Sequence, residues 1–145
     1  MEKEKLYNNN KKIDKFLKKI IIVSGLIVFI SSIEALITAK SKDLLDVFLK
    51  LNSDNTAEDF FNIVIINYFI TILEPVLISL FSLFGLKKFG ITSLYKIVFS
   101  IILIMRLFNI VISFRTNSIF YYLIIILYLL LIYLIISVPK LKRGD

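Results

Sequence analysis

The sequence predicts an all-α, polytopic integral membrane protein: a four-transmembrane-helix bundle with a short amphipathic outer helix between spans one and two. Three observations lead there. Hydrophobic residues make up 58% of the 145-residue chain and the mean hydropathy is +0.85, well beyond the usual apolar share of a soluble domain. A single small core would leave much of that surface in water, whereas lipid solvates it. Four apolar runs are each about long enough to cross a hydrocarbon layer of ~30 Å. The basic residues cluster at the ends of those runs, where they set orientation.

Residues 1–19 form a basic N-terminal segment, with Lys11, Lys12, Lys15, Lys18 and Lys19 crowding its end. Ile13, Phe16, Leu17 and Ile20 recur at helical spacing, so this segment is expected to lie along a membrane surface before entering it. The membrane domain covers 20–138, with spans at about 20–39, 60–86, 91–114 and 119–138, and a basic tail follows at 139–145. The first run competes with a signal peptide, but the residues around Ile37 and Ala39 make a poor cleavage site. It is read as a retained span.

Between spans one and two, Leu44, Leu45, Val47, Phe48 and Leu51 line one face of a short amphipathic helix. LNSDN then reads as a turn. Thr56 is placed to cap span two, with Glu58 and Asp59 in the first turn where the helix dipole favours acids. Lys87, Lys88 and Gly90 make a basic reversal into span three, and RTNS at 115–118 turns the chain again. Span four is nearly pure hydrocarbon and stops at Pro139. It offers no polar stripe and is expected to be mostly lipid-adapted.

Seven lysines precede span one, Lys87 and Lys88 separate spans two and three, and Lys140, Lys142 and Arg143 follow span four. The other side carries Lys40, Lys42, Lys50 and Arg115 against five acids, Asp43, Asp46, Asp54, Glu58 and Asp59. The positive-inside bias agrees at every loop and predicts a cell-membrane protein with both termini cytoplasmic. In a soluble chain the net charge of +7 would suggest nucleic acid. Here it is orientation chemistry, and no nucleic-acid partner is expected.

Cysteine and histidine are both absent, which excludes disulfides, thiolate catalysis and cysteine or histidine metal sites. Nothing supplies an activated nucleophile or a phosphate-cradling glycine loop, so neither catalysis nor a metal or cofactor is expected.

The informative residues are the polar ones inside the oil. Glu34, Glu74 and Arg106 lie within spans, where a central charge costs about 2.5–3.5 kcal/mol on insertion scales. Lys96, nearer a boundary, is expected to snorkel. On span two, Asn67, Thr71, Glu74, Ser82 and Gly85 share a face; on span three, Arg106, Asn109, Ser113 and Asn117 do. Ser24, Ser31, Ala35 and Thr38 make a small-residue stripe on span one, with Glu34 on its flank. At ~1.5 Å per residue, Glu74 sits ~21 Å from Lys88 and Arg106 ~27 Å, a mismatch a long side chain covers. Arg106 is therefore expected to pair with Glu74, Glu34 or both. Pro75 removes an amide, leaving the Thr71 carbonyl without its helical partner. A kink and an arginine donor to both acceptors are expected there, turned toward the bundle interior.

Asn67 and Asn109 are expected as interhelical hydrogen-bond partners. Tyr121 and Tyr122 fit an interfacial belt, whereas Tyr128 and Tyr133 should hydrogen-bond a neighbouring helix. Glu34, Asn67, Thr71, Glu74, Pro75, Arg106 and Asn109 thus form a candidate intramembrane cluster. Two roles suit it. One is structural, in a non-catalytic accessory subunit whose partners are the lipid bilayer and another membrane protein or a second copy. The other is a small ion- or proton-coupled transporter or channel using Glu34, Glu74 and Arg106.

Overall fold

In the computed structural model the described residues are 2–51, 54–85, 92–112 and 118–139, with the side-chain surroundings of 2–10, 12 and 85 excepted. Among them, four helices are long and apolar enough to cross a membrane. The elements are α1 (Glu2–Lys40), α2 (Lys42–Leu51), α3 (Ala57–Leu80) continued by a π-helical turn (Phe81–Gly85), α4 (Ser93–Ile112) and α5 (Ile119–Ser137).

The helix ends follow from local chemistry. Helix α1 gives way to α2 at Ser41, whose hydroxyl accepts the Leu44 amide at 3.3 Å, a serine N-cap. Thr56 caps α3 in a reciprocal box. Its hydroxyl accepts the Asp59 amide at 3.3 Å, and the Asp59 carboxylate accepts the Thr56 amide at 2.7 Å, so two otherwise orphaned donors are satisfied. Thr92 accepts the Tyr95 amide at the start of α4. At the far end of α5 the Val138 amide bonds the Leu134 carbonyl, and Pro139 stops the helix.

One expectation changes at the N-terminus. The basic segment does not turn along a surface, because α1 runs unbroken from Glu2 to Lys40, about 58 Å at ~1.5 Å per residue. Ile13 and Leu17 belong to the bundle's buried core, so the apolar positions at helical spacing face protein. The sequence between Glu2 and Lys40 contains no proline to end the helix.

Helix α1 packs side by side with α3 and α5, and α5 packs in turn against α4. The lateral order is α3–α1–α5–α4. Helix α2 leans on the start of α3, with the Phe48 and Phe60 rings 5.5 Å apart. Helices α3 and α4 are consecutive in the chain yet share little close backbone contact among the described residues. They meet through side chains, with Phe81 stacked on Tyr95 at 5.6 Å and Ser82 hydrogen-bonded to the Tyr95 hydroxyl. The Lys96 ammonium donates to the Ile136 carbonyl at 2.9 Å near the end of α5.

The core sits in one half of the bundle. Ile20, Ile27, Ile78, Leu103, Leu131 and Ile135 are essentially inaccessible; Ile27 and Leu103 lie near mid-span, and the others toward the first part of α1 and the last turns of α3 and α5. Span four corrects its expected role. Helix α5 buries 33% of its most apolar window, against 11% for α3, so it is a packing hub and not the lipid-adapted member. An all-round apolar helix has no polar face to place outside the protein, and such helices are suited to central positions.

Packing of this kind predicts a contrast within α5. Leu131→Ala, at a fully buried site, should destabilise the fold by ~2 kcal/mol or more. Leu129→Ala, at a site 51% exposed, should stay within ~0.5 kcal/mol. Equilibrium unfolding in mild detergent reads the difference, and equal effects would contradict the assigned face.

Candidate functional site

Asn67, Thr71 and Glu74 recur at spacings of four and three, which puts them on one face of α3. The Thr71 hydroxyl donates to the Asn67 carbonyl at 2.8 Å, a local back-bond that holds the side chain in place. Four residues beyond Thr71, Pro75 is buried inside a helix that stays continuous through it. The missing proline amide leaves the Thr71 carbonyl short of one partner. Helix α5 fills the gap: the hydroxyl of Tyr128, a fully buried residue, lies 3.4 Å from that carbonyl and 3.5 Å from Glu74 Oε2. Both are long for hydroxyl hydrogen bonds.

Arg106 reaches the same face from α4. Its Nη2 donates to the Thr71 hydroxyl at 2.6 Å, and its Nε lies 3.7 Å from Glu74 Oε2. That second contact is an ion pair rather than a hydrogen bond, and Nε has no hydrogen-bond partner. The two side chains are 18% and 23% exposed, so the pair is largely withdrawn from its surroundings. The expected arginine donor thus serves the hydroxyl and the carboxylate, while a tyrosine serves the carbonyl. The reason is positional: the ring from the central helix lies where α3 loses its bond.

Beside this junction the four long helices line a half-open cavity of about 320 Å³. Glu34 and Thr38 line it from α1, Asn67 and Thr71 from α3, Arg106 and Asn109 from α4, and Tyr121 from α5. These positions fall late in α1 and α4 and early in α3 and α5, so the cavity occupies the half opposite the apolar core. Its volume matches the lower end of small-ligand sites, ~300–1,000 Å³, and equals on the order of ten water volumes. Of the residues singled out in the sequence, Glu34, Asn67, Thr71, Arg106 and Asn109 converge on this space. Glu74 adjoins it through Arg106, and Pro75 sits within the packed wall. Ser113 and Asn117 lie outside the described residues.

The tyrosines divide differently from expectation. Tyr121 turns inward and donates to the Val111 carbonyl at 3.3 Å, while Tyr122 is half exposed as a belt residue would be. Tyr133, expected to hydrogen-bond a neighbour, is 64% exposed. Tyr121 and Tyr128 are seven residues apart and share a face, whereas Tyr133 lies five further on, at a different angle around the helix. Tyr68 escaped the sequence reading. Its hydroxyl lies 2.9 Å from the Ser32 hydroxyl and joins α3 to α1; a polar-tipped aromatic next to Asn67 was the available sign.

Among the described residues, no group of three or more acidic side chains is placed to hold a metal ion. Comparison of the chain with protein-family models, curated proteins and solved structures finds no match.

The junction's partners should differ in weight. Arg106→Ala leaves the Glu74 carboxylate without its ion-pair partner and should cost on the order of 3 kcal/mol. Tyr128→Phe removes two long contacts and should cost no more than ~1 kcal/mol. Exchange of Glu74 and Arg106 should restore part of the loss. Unfolding in detergent tests the order, and a larger cost at Tyr128 would reverse the assignment.

Proposed function

We propose that this chain is a non-catalytic, multi-pass protein of the cell membrane, with both termini cytoplasmic, that holds a small ion or polar solute in its inter-helix cavity. In this reading it works as a small ion- or solute-coupled carrier using Glu34, Glu74 and Arg106. The observation behind the reading is the division of the bundle. One half holds a cavity of about 320 Å³ lined from all four long helices, with Glu34, Asn67, Arg106 and Asn109 among apolar neighbours, and the other is a close-packed apolar core. Intramembrane charges that face a cavity beside a proline-bearing helix are the features from which transport sites are built. The lysine distribution supports an outward-facing cavity.

A second reading is favoured by a different observation. Helices α3 and α4 bury only 11% and 17% of their most apolar windows within the chain. Such open faces suit an accessory subunit that associates with another membrane protein or with further copies of itself. Purification in mild detergent after cross-linking should then recover a recurring partner or oligomer. A monomer under every condition would remove this reading.

Because the chain has no cysteine, single introduced cysteines report on the cavity without background. In intact cells, Asn109→Cys and Thr38→Cys should react with a membrane-impermeant maleimide from outside, while Leu131→Cys stays unreactive. Labelling of Asn109→Cys from the cytoplasmic side alone, or from neither side, would overturn the carrier reading.

A further inference from the structure

We infer that the exposed lysine face at the start of α1 is a binding surface for the phosphate headgroups of anionic glycerophospholipids. This face is remote from the cavity and does not depend on what the cavity holds. Lys11, Lys15, Lys18 and Lys19 are all exposed. At ~100° per residue they fall within an arc of roughly 100° on one side of the helix. Ile13, Leu17 and Ile20 lie on the opposite side and are buried in the core. Packing therefore fixes the rotation of α1 and turns the lysines away from the bundle. Between Lys11 and Ile20 the one acid is Asp14, at the edge of the arc.

Contacts between helices set the depth of this face. Ser32 on α1 meets Tyr68 on α3. Counting along the two antiparallel helices from that pair brings Lys19 about level with Phe81. Phe81 stacks on Tyr95, and the next residue, Lys96, bonds the Ile136 carbonyl in the last turn of α5. Lys19 thus stands at the end of the apolar spans of its neighbours. From Lys19 to Lys40 the helix rises ~32 Å, which matches a hydrocarbon layer of ~30 Å. Lys15 and Lys18 then stand in the headgroup layer, with Lys11 just outside it.

Side-chain direction agrees. Helical side chains tilt toward the N-terminus, and at the start of a span that direction leads out of the hydrocarbon. Lys19 follows it, with its ammonium 6.0 Å from the centre of the Phe16 ring, one turn back along α1. Each base held near an anionic surface strengthens attraction about fivefold. An acidic protein segment would have to displace headgroups to reach Lys15, Lys18 and Lys19, so lipid is the occupant that fits their depth. Helix α2 makes the contrast. Its Lys42 and Lys50 share ten residues with Asp43 and Asp46, which cancels their charge.

The chain contains no tryptophan, so Phe16→Trp places a single fluorophore beside the lysine face. The purified full chain carrying it is reconstituted in mixtures of phosphatidylcholine and phosphatidylglycerol, with one lipid or the other brominated, and quenching gives their relative affinity at that site. Phosphatidylglycerol should be preferred tenfold or more at about 0.1 M salt, and less at about 1 M, where the screening length falls to ~3 Å. Lys15→Gln, Lys18→Gln and Lys19→Gln together should bring the two lipids near parity, whereas Lys42→Gln with Lys50→Gln should leave the preference unchanged. Lysines that serve only to orient the chain during insertion predict equal affinity for both lipids in the reconstituted protein, and that result overturns the inference. A preference that survives the triple substitution overturns it too. Should the tryptophan or the triple variant not fold, phosphatidylglycerol retained through mild-detergent purification decides between the unsubstituted chain and Lys18→Gln. The variant should retain several-fold less, and equal retention overturns the assignment.

Discussion

A guanidinium inside an apolar bundle has to find oxygen, and the geometry around Arg106 follows from that requirement. Helix α4 supplies the arginine, α3 the Thr71 hydroxyl and the Glu74 carboxylate, and α5 the Tyr128 hydroxyl. Helices α3 and α4 have little close backbone contact, so a long side chain joins them across a gap that small residues would have closed. The same bridge that ties the two helices together keeps their backbones apart. A polar link of this length makes room for a cavity beside it.

The two halves of the bundle are assembled by different physics. In the core half, Ile, Leu and Tyr side chains from α1, α4 and α5 interdigitate to near-complete burial, where dispersion between packed atoms supplies the cohesion. In the cavity half, α1 presents Ser31, Ala35 and Thr38. These side chains are too short to fill the space opposite Asn67 and Asn109. Small residues usually let helices approach. Here the approach is made by α1 toward α3 and α5, and the fourth side stays open because α4 is held through α5.

Pro75 shows how a local defect becomes a link between helices. The ring removes one hydrogen bond from α3 without breaking the helix, and the unpaired carbonyl of Thr71 turns into an acceptor for Tyr128. A carboxylate next to that proline makes the same point on α3 attractive to both a hydroxyl and a guanidinium. The glutamate–proline pair is therefore the place where three helices meet, which accounts for polar and helix-disturbing residues side by side in an otherwise apolar run.

The sequence by itself determined the number of long apolar helices, the caps at Thr56 and Pro139, and the polar faces of α1, α3 and α4. Each of these depends on periodicity or on residues only a few positions apart. Arg106 and Glu74 could also be matched, since depth along a helix is a simple product of rise and residue number. The tertiary structure alone decided which helix is central, which tyrosines turn inward and which donor reaches the Thr71 carbonyl. Helix α5 has hydrocarbon on every side, so its pattern names no face, and lipid and protein interior are equally apolar surroundings for it. The cavity was hidden for the same reason: an empty space is the distance between backbones, and no single helix encodes that distance.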